Sequence, residues 1–534
     1  MKRGFLFTCL ILGLSLSLCL AACNGRGVSD AIPEATATPA PTRDGPPAYL
    51  PPPGSAGEFQ PAACRFVLPE DMVEGEDIEC GYLTVGERRD ENPPQPGRLI
   101  RLAVAIFHPP GGTTQPDPVI YLSGGPGASA LELMRYQIEF MSLPVFATGR
   151  DLVMFDQRGV GLSQPALDCP MVDELSLDLL DRQVAGRLLD DQEIAGLFLE
   201  TLENCQSKLA ETADLSAYNS AASAADVEDL RLALGYQQVN LWGGSYGTRL
   251  ALEVMRQYPQ GIRSVVLDAV YPPDVDLYLE APANFNRALE RLFEACAANA
   301  VCHQAYPDLR EVFFATVQRL DADPVLREIE NPFTGEKHEA WMNGNTLLAL
   351  VFQLLYDSKI RYLIPQYIYA ASQGDYTAFD RVRGNLMILA KVSSRGMMFS
   401  VQCNEELAFS TQQEFQMAIA RYPELGGMYE SAMMGGLAYQ ACEMWGAGHA
   451  PANANQPVYS DIPTLLMDGE FDPITPPSWG LHAAETLEKT FVYVYPGIGH
   501  GASSIEGCPS QMMTAFLEEP AVAPNADCIE AMRR

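Results

Sequence analysis

A serine between glycines stands where a strand-like run gives way to a helical one, and this restricts the chain to few architectures. Residues 239–242 form a short apolar run that reads as a strand, and residues 248–258 repeat apolar positions at helical spacing. Between them lies Gly243-Gly244-Ser245-Tyr246-Gly247. A strand that becomes a helix within so few residues needs a sharp turn, and glycine is accepted where side chains would collide. A G-x-S-x-G pattern in this setting lifts the serine hydroxyl to the edge of a sheet. The helix starting behind the serine aims backbone N–H groups at an anion forming there.

The flanking sequence predicts the sheet. Apolar runs recur at 100–107, 118–122, 151–155, 239–242, 264–270, 464–467 and 491–495, with helical patterns at 224–234 and 248–258. Such alternation argues for an α/β fold with a mostly parallel sheet and helices on both faces. Residues 82–85 with 100–107 read as antiparallel edge strands. The alternation stops near Tyr271-Pro272-Pro273, and to about residue 445 the chain reads mainly helical. We expect core from 63–270 and 451–534, with 271–450 inserted as a helical cap over the carboxyl edge of the sheet, where insertions shape access.

A serine nucleophile needs a general base, and the base needs an orienting acid. Of six histidines, His500 lies in a glycine-rich loop after the 491–495 run, where it can reach across the sheet edge. The turn Asp468-Gly469-Glu470-Phe471-Asp472-Pro473 after the 464–467 run supplies Asp472, with Asp468, Glu470 and Asp268 as rivals. The order serine, aspartate, histidine is that of an α/β-hydrolase. Two N–H donors are needed for an oxyanion. Tyr246, following the serine, is one, and Gly125 in Ser123-Gly124-Gly125-Pro126-Gly127 is the other. Thr475 either positions Asp472 or serves only the turn. This chemistry calls for no metal and no organic cofactor.

The N-terminal segment reads as an export signal. Lys2 and Arg3 precede an apolar run, and Leu20-Ala21-Ala22-Cys23 resembles a bacterial lipobox, which implies cleavage after residue 22 and a lipid on Cys23. Residues 23–62 are proline-rich and poor in large apolar side chains, and read as a disordered tether holding the enzyme off a membrane. The net charge of −33 argues against nucleic acid as a partner. Of thirteen cysteines, Cys9 and Cys19 fall in the leader and Cys23 at its end, leaving an even ten in an exported chain. That favours disulfides, and the lack of any C-x-x-C pair speaks against zinc. Sequence does not fix connectivity. Neighbour pairing, Cys64–Cys80, Cys169–Cys205, Cys296–Cys302, Cys403–Cys442 and Cys508–Cys528, closes short loops and leaves none over.

Together these motifs resemble the proline iminopeptidase and tripeptidyl aminopeptidase family of serine α/β-hydrolases, from about Cys64 to the C-terminus. Ser123-Gly124-Gly125-Pro126-Gly127 is similar to the family's His-Gly-Gly-Pro-Gly, with serine in place of histidine. Asp156-Gln157-Arg158-Gly159-Val160-Gly161-Leu162-Ser163 resembles its most specific motif, and a pairing of Asp156 with Arg158 is expected to brace that loop. Gly244-Ser245-Tyr246-Gly247 and Asp472-Pro473-Ile474-Thr475-Pro476 also match. The likeness is closest to the branch with a distinctive C-terminal domain, found in secreted tripeptidyl aminopeptidases and lipid-anchored mycobacterial-type hydrolases.

The resemblance implies a serine peptidase acting on free N-termini. Such an enzyme needs a negative group to pair with the substrate ammonium. Gln402-Cys403-Asn404-Glu405-Glu406 resembles the family's acidic segment, which makes Glu405 the first candidate and Glu406 the second; a solvated helix start is the other reading. The rival functions are an esterase or lipase with the same triad, and a binding lipoprotein on an inactive fold.

Overall fold

The structure is a computed structural model that describes residues 56–68, 72–89, 98–133, 144–184, 187–332, 334–389, 392–430 and 435–533. The expected signal segment, Cys23 and most of the expected tether lie outside the described residues.

Thirteen strands are described: β1 Glu58–Pro61, β2 Ile78–Gly86, β3 Leu99–Phe107, β4 Val119–Leu122, β5 Leu152–Phe155, β6 Gln183–Val184, β7 Arg187–Leu188, β8 Val239–Gly244, β9 Ile262–Asp268, β10 Val325–Glu330, β11 Lys337–Met342, β12 Thr464–Gly469 and β13 Thr490–Tyr495. Nine of them form one sheet in the order β1-β2-β3-β5-β4-β8-β9-β12-β13. From β5 to β13 neighbours run parallel, and β1, β2 and β3 form an antiparallel edge. This is the α/β architecture expected from the alternation.

Period-two burial explains why the sheet needs helices on both faces. Along β3, Ile100, Leu102, Val104 and Ile106 enter a core with the helices Ser220–Ala233 and Tyr246–Gln257. Ala103, Ala105 and Phe107 point the other way, into a core closed by the helix Cys508–Glu518. Both faces of the sheet therefore meet apolar partners, and helices must cover each.

Three features depart from the sequence reading. The stretch taken as tether to residue 62 contains β1, which pairs with β2. Phe59 anchors it, its ring crossing Gly81, where a Cβ would stand 2.5 Å from the ring. Pro61 is accommodated because the strand is at an edge. Second, the inserted region carries a hairpin, β10 with β11, among its helices. Third, the helical layer draws on two parts of the chain. Helices Pro170–Asp178 and Asp191–Ala210 share a core with Arg395–Glu405 and Ala438–Trp445. The helix Asp191–Ala210 starts on a capping box in which Asp190 and Glu193 each satisfy the other's backbone N–H.

Five disulfides join Cys64 to Cys80, Cys169 to Cys205, Cys296 to Cys302, Cys403 to Cys442 and Cys508 to Cys528. These are the neighbour pairs set out above. Among the described residues, no helix is long and apolar enough to cross a membrane.

Candidate active site

Strand β8 ends at Gly244, and the chain turns at once. Ser245 has φ 55° and ψ −124°, a backbone state that a residue with a Cβ adopts only when its surroundings impose it. Those surroundings are explicit. Ser245 N–H donates to the Asp268 carbonyl at 2.9 Å, and the Ser245 carbonyl accepts the Thr248 N–H at 2.8 Å. A Cβ on Gly247 would stand 1.9 Å from the Leu122 carbonyl oxygen, so glycine is required for the helix to pass β4. Ser245 is left partly exposed. The Tyr246 side chain is buried, its hydroxyl 2.7 Å from Ser220 Oγ.

The loops after β12 and β13 bring Asp472 and His500 together. The Asp472 carboxylate is fully buried. Its Oδ1 accepts the N–H groups of Ile474 and Thr475, each at 2.9 Å, and its Oδ2 accepts the Thr475 hydroxyl at 2.6 Å. That Oδ2 lies 2.7 Å from His500 Nδ1, which assigns the Nδ1–H tautomer and leaves Nε2 as the nitrogen with a free lone pair. Thr475 Oγ1 is also 3.1 Å from Nδ1, so it takes part in the pair as well as in the turn. Burial opposes a charge on His500, but the Asp472 carboxylate and its hydrogen bond prevail and raise the imidazole pKa above its ordinary value. His500 is held again from the helix Gly344–Tyr356: its N–H donates to the Tyr356 carbonyl at 3.1 Å, and the two rings are 4.6 Å apart. Among the described residues, no hydrogen bond joins Ser245 Oγ to the His500 ring.

The rival acids have other partners. Asp268 accepts the N–H groups of Ala502 at 2.7 Å and Ser503 at 2.8 Å, together with the Ser503 hydroxyl. Asp468 accepts the Val270 N–H at 3.2 Å, and burial pushes its carboxyl well above the usual range. Glu470 binds Arg291 at 2.8 Å and the Gly497 N–H at 3.0 Å.

The loop 123–127 lies against the serine. A Cβ on Gly124 would stand 3.0 Å from Ser245 Cβ and 3.6 Å from its Oγ. Gly125 follows with φ +111°, a conformation open to glycine. The far end of this loop is fixed to the helical layer, where Ser394 N–H donates to the Gly127 carbonyl at 2.8 Å.

Asp156 and Arg158 do not pair, contrary to expectation. Arg158 is fully buried and forks onto Asp226, with Nε and Nη2 each at 2.7 Å. Asp156 instead accepts the Ser129 hydroxyl at 2.8 Å, Leu131 N–H at 3.1 Å and Leu162 N–H at 2.8 Å. Burial raises its pKa to about 7 although those bonds pull it down. The loop is braced by two separate sets of partners, one for each side chain.

Glu405 and Glu406 are buried, at 5% and 4% exposure, which removes the solvated reading. Both meet Arg249, one turn into the helix behind Ser245. Glu405 Oε2 is 3.3 Å from Nε and Glu406 Oε1 is 2.7 Å from Nη1. Glu405 also accepts the Ser220 N–H. Burial raises the pKa of both acids, that of Glu406 to about 7, against the pull of Arg249. Sequence reading missed Arg249 and Tyr356. The one signal for Arg249 was an arginine in the otherwise buried first turns after the serine; for Tyr356 there was none.

Residues 117–505 match the model of the alpha/beta hydrolase fold family. The chain is an α/β-hydrolase. The resemblance drawn from its motifs is upheld, and the hydrolase is a serine enzyme. It is similar to the serine protease Hip1 of Mycobacterium tuberculosis, 24% identical over 488 residues that cover 87% of this chain and 89% of the relative. The tripeptidyl aminopeptidase of Streptomyces lividans is 33% identical over 201 residues, 37% of this chain and 36% of its own. A solved proline iminopeptidase from Mycobacterium smegmatis aligns with 79% of the hydrolase and 91% of itself at 15% identity, with a TM-score of 0.31. Among the described residues, no cluster of three or more histidine, cysteine or acidic side chains is arranged to hold a metal ion.

Proposed function

We propose that this hydrolase is an exported serine aminopeptidase that cleaves peptides from a free N-terminus. Ser245 Oγ attacks the scissile carbonyl carbon while His500 Nε2 takes the hydroxyl proton. Asp472, bonded to Nδ1, keeps the ring in that tautomer and stabilises the imidazolium. The N–H groups of Gly125 and Tyr246 receive the developing oxyanion. His500 returns its proton to the leaving amine, and water, activated by the same nitrogen, hydrolyses the acyl-enzyme. The nucleophile–base contact tightens when substrate excludes water, as is common in such sites.

The observation that carries the N-terminal preference is the cluster Arg249–Glu405–Glu406. Two buried carboxyl groups share one guanidinium, so the second has no cation of its own and burial keeps it partly protonated. A substrate ammonium supplies that cation, and an acetylated peptide does not. The test uses tripeptidyl- and aminoacyl-anilides with free and acetylated N-termini, on wild type and Ser245→Ala. Loss of cleavage on acetylation and in the variant supports the reading; equal cleavage of blocked peptides ends it. An esterase with the same triad is the second reading, favoured by the apolar cavity described below, and acyl esters hydrolysed to the exclusion of all peptides would establish it.

The relatives named serine protease and tripeptidyl aminopeptidase support a peptide substrate, and the five disulfides support export. We place the lipid anchor at Cys23. Release of Cys23→Ser from the membrane, or accumulation of its uncleaved precursor, is the expected result; unchanged retention argues against it.

A further inference from the structure

A cavity of about 250 Å³ lies within the helical layer, and three of its lining residues lead to the candidate site directly or through one neighbour. Ile474 donates its N–H to Asp472 Oδ1 at 2.9 Å. Phe352 packs its ring 5.3 Å from that of Tyr356, whose own ring is tilted against His500. Met398 brings its backbone nitrogen to 3.5 Å from where a Cβ of Gly127 would be, at the end of the oxyanion loop. The space thus lies directly behind the acid and the oxyanion loop, and one ring further from the base.

The walls are chiefly apolar, with Phe198, Leu202, Phe399, Phe415 and Leu437 among them. The polar groups that reach it are already engaged. Tyr278 donates its hydroxyl to Gln402 Oε1 at 2.8 Å, and Arg395 Nε binds Asp173 at 2.6 Å. A charged side chain entering here would lose its hydration for no partner, whereas an apolar one gains by leaving water. An apolar cavity of about 150 Å³ holds a benzene ring, so this one has room for an aromatic side chain and a smaller neighbour. Leu277, another wall residue, directs its N–H at Glu406 Oε2 at 3.5 Å, so the acidic cluster adjoins the same space.

We propose that this chamber receives the side chains on the acyl side of the scissile bond, and that the enzyme selects peptides with bulky apolar or aromatic residues there. The proposal deepens the aminopeptidase reading and rests on it for the word peptide. Ala281 and Ala438, on two different helices, are small wall residues whose enlargement fills part of the space.

The test compares the full-length protein with Ala281→Leu and Ala438→Leu, each checked for an unchanged melting curve. One substrate series is free-amine tripeptidyl anilides differing only in the residue before the anilide: Phe, Leu, Ala or Asp. The other is p-nitrophenyl octanoate against acetate. Wild type is expected to prefer Phe over Ala by about tenfold or more in kcat/KM, to reject Asp, and to lose the preference in at least one variant because Phe cleavage falls further than Ala cleavage. Preference for Phe unchanged in both variants, or Asp cleaved as well as Phe, overturns the chamber. If no anilide is cleaved, the aminopeptidase reading fails by itself and the esters decide. A preference for octanoate abolished by the fillings keeps the chamber as an acyl site, and one untouched by them, or no preference at all, removes it.

Discussion

Asp268 holds Ser245 through its main chain, its carbonyl accepting the serine N–H at 2.9 Å. The carboxylate of the same residue accepts the N–H groups of Ala502 and Ser503 at 2.7 and 2.8 Å, just beyond His500. One residue at the end of β9 therefore fixes the spacing between nucleophile loop and base loop. Asp268→Asn keeps the shape but turns an amide N–H₂ toward donors. Losing a charge-assisted bond costs about 1.5–3 kcal/mol, which predicts a kcat lower by roughly tenfold to a hundredfold with KM little changed. A fluorophosphonate labelling rate that falls in step checks it; an unaltered labelling rate would deny the role.

Activity should rise with pH through a limb set by His500. As base it must be neutral, and Asp472 raises its pKa above 6.5. The stability linkage has the opposite sense: the pair's contribution is complete below the unfolded value and disappears as pH climbs through the folded one. Asp472→Asn removes the cause, moves the limb in kcat/KM to lower pH, and lowers kcat by about 10⁴-fold. A pH–rate profile of both proteins gives the answer, and an identical limb in the two would assign it to another group.

Glu406→Gln should separate peptides from esters. It removes the carboxyl that would ionise against a substrate ammonium while Glu405 still faces Arg249. We expect kcat/KM for free-amine peptides to fall about a hundredfold, the scale of a desolvated ionic contact, with acyl ester hydrolysis nearly unchanged. Because burial raises the Glu406 pKa to about 7, the folded wild type retains a proton that the unfolded chain has released, and its stability declines as pH rises from about 4.5 to that value. In the variant that decline should flatten, as urea melts across this range would record. Equal losses on both substrate classes would reduce Glu406 to packing.

The Cys403–Cys442 bond closes a 39-residue separation and ties two helices of the cavity wall. Replacing both cysteines with alanine should destabilise the fold by about 2–4 kcal/mol. Urea unfolding measures this directly; an unchanged midpoint would mean that packing alone holds the helices.

The parts of the site that were legible are those built by local rules. The turn at Ser245 and the loops carrying Asp472 and His500 each follow a strand, and strand ends announce themselves by apolar runs and turn residues. What escaped depends on side chains meeting across the chain. Arg249 and Glu405 are 156 residues apart, and no spacing reports their contact. Arg158 turned to Asp226, 68 residues away, in place of its near neighbour Asp156. The hairpin β10–β11 was hidden because Ile329 is the one fully buried position in Val325–Glu330, too little to print an alternating pattern. The strand β1 was masked by prolines around it, which an edge position tolerates.

The helix Gly344–Tyr356 belongs to the layer above the sheet, yet its last carbonyl grips the His500 backbone. Layer and base are thus joined twice, by a backbone hydrogen bond and by the contact of the Tyr356 and His500 rings, so the packing of a helix far from Ser245 in sequence is also the mounting of the imidazole.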